Sequence, residues 1–175
     1  ENKQTRKGKL IFCQFKSEIA HLKNRLSAAG FNVAVIQGST SKKEREYAIQ
    51  SPISTEEITS IIDAKTTTNG AGASNISHLI NSYLAPDVLI AQIQTACEGL
   101  NLQHFNEVYF TTPHWNPAVE DQSIARAHRI GQTSQVNVYK FITTFSTDAT
   151  SLDQYCLNVQ QIKREAASII KPTKA

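Results

Sequence analysis

Three side chains that precede Gly131 could bind phosphate groups. Arg126 and Arg129 lie three positions apart, and Gln122 lies four positions before Arg126. Asn116-Pro117 is a typical helix start and predicts a helix that runs to about Arg129 and stops at Gly131. On such a helix the three side chains point from one face. Two guanidinium groups would then form a permanently charged clamp for a polyphosphate or a phosphoryl group in transfer. Surface salt bridges are the competing interpretation.

A second candidate phosphate site is the turn Gly38-Ser39-Thr40. It leads into a predicted capping box, from Ser41 to Glu44, which opens the next helix. Backbone N–H groups, hydroxyls and a helix N-terminus favour an anion there, and Lys42, Lys43 and Arg45 add positive charge. An ordinary strand-to-helix turn with a solvated basic helix would explain the same residues without a ligand.

Trp115 is a candidate contact for a partner molecule. It is the only tryptophan of the chain, and it lies on the predicted loop before the Asn116-Pro117 helix. An exposed indole is costly unless it stacks on something, so a stacking or nucleic-acid contact is expected here.

The elements that must position these residues are strands alternating with helices. Strands are predicted at 10–15, 31–36, 88–91, 107–110 and 136–142, and helices at 17–29, from 41 to before Pro52, at 117–129 and at 151–169. The first strand, helix and strand form a βαβ unit, which predicts a parallel sheet with helices on its faces. Residues 92–103 are predicted as a loop at a strand's carboxyl end, where open α/β sheets bind ligands. A loop at about 65–75 is predicted between short helices at 55–62 and 76–84.

The composition excludes several classes of protein. The chain has 175 residues, 40% of them hydrophobic, and a formal net charge of +3, as in an ordinary globular domain. No run approaches the roughly 18 apolar residues of a membrane helix, so no membrane partner is expected. Three cysteines, Cys13, Cys97 and Cys156, form no CxxC pair, which argues against a disulfide framework or a zinc site and favours an intracellular compartment.

The charges are segregated along the chain. Residues 1–47 carry ten basic and four acidic side chains, residues 48–125 one and eight, and residues 126–175 seven and three. Basic faces at both ends could meet phosphates, whereas solvation of ordinary surfaces is the alternative.

The region around the arginines resembles the signature of the Swi/Snf-like ATPases, DNA translocases of helicase superfamily 2. The resemblance is carried by residues 114–117, 120–132 and 136–142, with 10–15 similar to motif IV, 37–40 to a phosphate-holding turn and 99–102 to motif V. It implies that residues 1–175 form the second RecA-like lobe, a three-layer α/β/α fold with a mainly parallel central sheet. Residues 52–87 lie outside the resemblance and are expected to be an insertion.

The resemblance also implies roles for individual residues. Arg126 and Arg129 match the arginine fingers that act on the ATP phosphates, and Gln122 matches the polar residue of the same motif. Gly99 and Asn101 match the motif V loop that contacts the nucleotide and couples it to DNA. The implied DNA-binding residues are Gln14, Lys16, Gly38, Ser39, Thr40 and Trp115.

An ATPase active site needs further groups that this chain lacks. It contains no GxxxxGK[ST] loop and no Asp-Glu pair after a strand, and phosphoryl transfer requires both. The resemblance implies that an N-terminal RecA-like lobe of the same, longer protein holds Mg²⁺ and that ATP binds in the cleft between the two lobes. We therefore expect this lobe to be inactive alone, and double-stranded DNA, with nucleosomes as a further possibility, to be its partner. The family favours the nucleus, or the cytoplasm for a virus-encoded relative.

Several alternatives to this interpretation concern single features of the chain. Thr95-Ala96-Cys97-Glu98 stands where the family has Ala-Gly-Gly before Gly99, so the shape of that loop is expected to differ. A non-catalytic module that binds nucleic acid or protein through the same fold remains a second hypothesis. A Cys97–His128 nucleophile and base is disfavoured because no orienting group is apparent. His104 and His114 are interpreted as hydrogen-bonded loop residues and not as metal ligands.

Overall fold

The computed structural model describes residues 8–50, 59–60, 85–96, 99–146 and 149–170. Strands and helices alternate along most of this part of the chain. The strands are β1 (Gly8–Cys13), β2 (Val33–Ile36), β3 (Val88–Gln92), β4 (Phe105–Phe110) and β5 (Asn137–Lys140). The helices are α1 (Lys16–Ala28), α2 (Lys42–Ala48), α3 (Ile93–Ala96), α4 (Pro117–Ala127) and α5 (Leu152–Ile170). No helix among the described residues is long and apolar enough to cross a membrane.

The five strands form one parallel sheet in the order β2-β3-β1-β4-β5. One face is a core that includes Leu10, Phe12 and Phe110, and α2 and α4 contribute Ala48 and Ala127 to it. The opposite face carries a smaller core, formed by β-strand residues and by Ile19 of α1. Because helices cover both faces, the predicted three-layer α/β/α architecture is confirmed.

Local signals fix the beginnings of the helices. Ser41 and Glu44 form the predicted capping box of α2, with the Glu44 N–H donating to Ser41 Oγ over 3.4 Å. At α4, the Asn116 side chain accepts a hydrogen bond from the Ala118 N–H over 3.1 Å. Ser151 caps α5 by accepting from the Gln154 N–H over 3.1 Å. These polar side chains satisfy N–H groups that would otherwise lack partners, so the helices start where the sequence predicts.

A side-chain network joins the beginnings of β2 and β3. The Asp87 N–H donates to the Asn32 carbonyl over 2.9 Å, and the Asn32 N–H donates back to Asp87 Oδ2 over 3.0 Å. The Asn32 amide also donates to the hydroxyl of Tyr47, near the end of α2, over 2.9 Å. The two chain segments on either side of residues 51–84 are therefore held together.

Several predicted boundaries differ from the structure. The helix predicted to reach Arg129 ends at Ala127, because the Arg126 carbonyl accepts from the Leu102 N–H (3.0 Å) and not from the next helical turn. The loop predicted at 92–103 contains the short helix α3, and β4 begins two residues before the predicted strand. Of the helix predicted at 55–62, only Thr59 and Ser60 are described, and both are helical. The rest of that helix, the helix at 76–84, the loop at 65–75 and most of the 52–87 insertion lie outside the described residues.

Candidate nucleotide and nucleic-acid site

Arg126 and Arg129 line one groove at the end of α4, with a volume of about 580 Å³. Arg126 belongs to the last turn of the helix, whereas Arg129 lies in the turn that follows it. The prediction that both arginines and Gln122 share one helix face is therefore wrong for Arg129. The turn nevertheless brings the two arginines to the same groove, and Gln122 is exposed on α4 outside it.

The loop that contains Gly99 and Asn101 is anchored to the end of α4. Both residues are exposed, and Gly99 has a φ of +65°, in the left-handed region that glycine adopts without strain. Beyond them, the Leu102 N–H donates to the Arg126 carbonyl over 3.0 Å. The Gln132 side-chain amide donates to the Gln103 carbonyl over 2.6 Å. These bonds place the predicted motif V loop beside the arginine groove.

A second groove, of about 420 Å³, brings together three of the predicted DNA-binding residues, Lys16, Ser39 and Thr40. Gly38 is exposed in the same turn but does not line the groove. Thr40 Oγ1 accepts from the Gln37 N–H over 2.9 Å, which fixes the turn and leaves the Ser39 hydroxyl at the surface.

Lys23 and Glu44 also line this second groove, and the sequence analysis assigned neither a role there. Lys23 lies seven positions after Lys16 on α1, a spacing that places both on one helix face and could have identified it. Hydrogen bonds from Ser41 lower the pKa of Glu44, so this carboxylate is occupied as the cap of α2. The groove is therefore positive on its α1 side.

The Gln14 side chain is used within the protein. Its amide donates to the Pro113 carbonyl over 2.9 Å and so joins the end of β1 to the segment that carries Trp115. Whether Gln14 also contacts DNA stays a prediction. Trp115 itself is 63% exposed, as predicted from its loop position. The Lys163 ammonium of α5 lies 3.8 Å from the centre of the indole ring.

Glu120 is a buried carboxylate that the sequence analysis did not single out. It lies in the first turn of α4 with no exposed surface, and it forms an ion pair with Lys140 of β5. Its Oε1 accepts from the His114 N–H and from the Gln160 amide, both over 2.7 Å. This carboxylate therefore connects the segment before Trp115 with α4, α5 and β5.

The described histidines and cysteines offer little nucleophilic or metal-binding chemistry. Burial raises the pKa of the Cys13 thiol to about 11, against a smaller opposing effect of its hydrogen bond with Thr111. Burial lowers the pKa of His104 to about 4, and its Nε2 has no hydrogen-bond partner, unlike the prediction. The His114 ring is hydrogen-bonded to Asn116, as predicted. Among the described residues no three His, Cys, Asp or Glu side chains cluster to hold a metal ion. Cys97 lies outside them.

The chain is similar in sequence to helicase-related proteins. The helicase conserved C-terminal domain family matches residues 1–96. A protein of Arabidopsis thaliana named for the SWI/SNF-related regulators of chromatin is 29% identical over 168 residues, which are 96% of this chain and 15% of that protein. The human helicase-like transcription factor is 30% identical over 159 residues, or 91% of this chain and 13% of that protein. The chain thus spans a small part of these relatives.

A solved structure supports the fold. The crystal structure of the C-terminal part of the Fun30 ATPase domain aligns with a TM-score of 0.54 and 21% identity, over 93% of this chain and 48% of that one. The RecA-like architecture is therefore confirmed. The matches in sequence confirm the resemblance to the second lobe of Swi/Snf-like ATPases, whereas the roles of single residues remain to be tested.

Proposed function

Because the chain belongs to the helicase conserved C-terminal domain family, we propose that it is the second motor lobe of an ATP-dependent translocase of double-stranded DNA, of the chromatin-remodelling type. The observation that carries this proposal is the groove at the end of α4, where Arg126 and Arg129 converge beside the loop of Gly99 and Asn101. Relatives with helicase or SWI/SNF-related names agree with the assignment.

The donor set of this groove fits a polyphosphate. Two guanidinium groups remain charged at every physiological pH and donate several N–H bonds in fixed planes. Arg126 is half-buried and is held by the helix, whereas Arg129 lies exposed in a turn and is free to follow a bound anion. We assign both to the ATP phosphates, where they would stabilise negative charge, with Gln122, Gly99 and Asn101 as the neighbouring polar groups.

ATP, when bound, supplies the phosphoryl group and the free energy that drives the motor. The Mg²⁺ ion and the phosphate loop are assigned to the N-terminal RecA-like lobe, since the described residues contain no carboxylate cluster that could hold the metal. Hydrolysis is then a property of the two lobes together, and this lobe alone is inactive. Closure of the lobes would bring the arginines to the nucleotide.

The second groove is assigned to the DNA backbone. Lys16 and Lys23 supply charge, and Gly38, Ser39 and Thr40 supply a turn with a hydroxyl and backbone N–H groups. Trp115 lies on the segment that follows β4, and Gln14 lies at the end of β1. DNA held at both places would be moved as the lobes open and close. Nucleosomal DNA and a nuclear location agree with the chromatin-related names of the relatives.

The test is ATP hydrolysis by the full-length protein with saturating DNA. Arg129→Ala should reduce DNA-stimulated turnover at least about a hundredfold, as loss of an arginine finger does, while DNA binding persists. Arg25→Ala, which removes an exposed arginine from α1, is the matched control and should leave turnover unchanged. Arg129→Lys should recover little, because an ammonium lacks the planar fork. Unchanged turnover in Arg129→Ala would refute the finger assignment. DNA binding without any hydrolysis by the wild type would favour the non-catalytic module.

A further inference from the structure

One face of α5 is hydrogen-bonded to the segment that carries Trp115. Lys163 and Arg164 follow Gln160 by three and four positions, so each lies beside Gln160 on that helix. The Gln160 amide donates to the His114 carbonyl, and the Lys163 ammonium donates to the Trp115 carbonyl over 3.2 Å. Arg164 donates two hydrogen bonds to the carboxylate of Asp121, over 3.0 and 2.8 Å. The backbone around Trp115 is therefore bonded to α5 at successive residues.

The Lys163 side chain also sets the orientation of the indole. Its ammonium lies 3.8 Å from the ring centre, within the distance at which a cation is attracted to an aromatic face. One face of the ring is covered by this contact. The ring is still 63% exposed, so the free surface lies on its other face and edge. An indole held in this way offers a single stacking surface in a fixed direction.

The same contacts place that surface relative to the arginine groove. Glu120, in the first turn of α4, binds the His114 N–H and the Gln160 amide at one carboxylate oxygen, over 2.7 Å each. Because α4 also carries Arg126 in its last turn, the Trp115 segment and the arginine share one rigid support. A movement of α4 would thus carry the indole with it.

We propose that Lys163 is a positioning residue for nucleic-acid binding, which covers one face of Trp115 and directs the other face toward double-stranded DNA. The proposal rests on the proposed function in assigning DNA to this side of the lobe. It adds α5, a helix outside the motifs that carry the family resemblance, to the DNA-binding surface.

Trp115 is the only tryptophan in the chain, so its fluorescence reports on this contact without labelling. In Lys163→Met a side chain of similar size remains, but the ammonium that binds the Trp115 carbonyl and the indole ring is lost. We expect quenching of Trp115 by neutral acrylamide to rise about twofold, since the indole is no longer held against α5. Iodide, an anion, should quench Trp115 fluorescence in the wild type better than the cation caesium does. This difference should shrink in Lys163→Met. Lys163→Arg should resemble the wild type. Unchanged quenching in Lys163→Met would overturn the proposal.

The second measurement is the affinity of the same variants for a short DNA duplex at fixed salt. Arg25→Met, which removes one exposed charge from α1, measures the general electrostatic loss. Lys163→Met should weaken binding about fivefold beyond that control, because the cation–π contact that holds the indole toward the duplex is lost, and Lys163→Arg should restore it. Equal affinities of the two Met variants would overturn the positioning role. Failure of the arginine test on hydrolysis would leave these binding results unaffected, so the two proposals fail separately.

Discussion

Replacing Glu120 tests whether the buried network around α4 holds the site together. Glu120 has no exposed surface, and its partner Lys140 is 29% exposed. The Glu120→Ala substitution removes the common acceptor of three groups, which are Lys140, the Gln160 amide and the His114 N–H. The partly exposed Lys140 can reach water, but the buried His114 N–H and Gln160 amide cannot, and each unsatisfied group costs about 1–3 kcal/mol. With the cavity that the lost side chain leaves, we expect a total loss of about 3–5 kcal/mol. For a chain of this size each kcal/mol lowers Tm by about 2–4 °C, which predicts a decrease of roughly 10 °C.

The neighbouring residue supplies the control. Asp121 pairs with Arg164, but both side chains are about half exposed, at 53% and 51%. Solvent screens such a pair, so Asp121→Ala should cost at most about 1 kcal/mol. Urea unfolding followed by far-UV circular dichroism measures both variants, with m-values compared to verify two-state behaviour.

A double variant separates the ion pair from simple loss of packing. Glu120→Gln together with Lys140→Met removes both charges while it preserves volume, and it should recover much of the stability lost in Glu120→Gln alone. Equal and small losses in Glu120→Ala and Asp121→Ala would refute the reasoning, since burial would then make no difference. Additive effects of Glu120→Gln and Lys140→Met would show that the two groups do not interact.

Two further predictions concern the neighbourhood of the arginine groove. Gly131→Ala should destabilise the chain by about 1–2 kcal/mol, because Gly131 has a φ of +98° and an added Cβ would lie 2.9 Å from Gln103 Oε1. Gly38→Ala, with open space around it, should be neutral in the same urea unfolding assay. His104, with its pKa lowered to about 4 from 6.5, should weaken the fold as the pH falls between these values, because the unfolded chain then binds more protons. His104→Gln should flatten the dependence of the unfolding midpoint over that window, and an unchanged slope would contradict the burial effect.

Local patterns in the sequence predicted the elements well because their causes are local. The apolar run in β1, the helical spacing in α1 and the capping residues Ser41 and Ser151 each act within a few residues. The parallel direction of the strands followed from the βαβ alternation. Trp115 was correctly expected to be exposed, since it stands outside any apolar period.

Features that depend on residues far apart in the chain could not be predicted from the sequence. The end of α4 depends on the hydrogen bond from the Leu102 N–H to the Arg126 carbonyl. The sequence at residue 127 has no helix-stop signal that would predict this end. Glu120 looks like an ordinary first-turn acidic residue, whereas its partners Lys140 and Gln160 come from β5 and α5. Such contacts form only when distant segments pack together in the fold, and the periodicity of the sequence does not show which segments will meet.

The hydrogen bonds between Asn32 and Asp87 have a consequence for how this lobe tolerates changes in length. They fix the two ends of the connection between α2 and β3 at one place, with Tyr47 bound to the same asparagine. The bonds that hold these two ends together come from residues outside 51–84, so a change in the length of that segment leaves both attachment points in place.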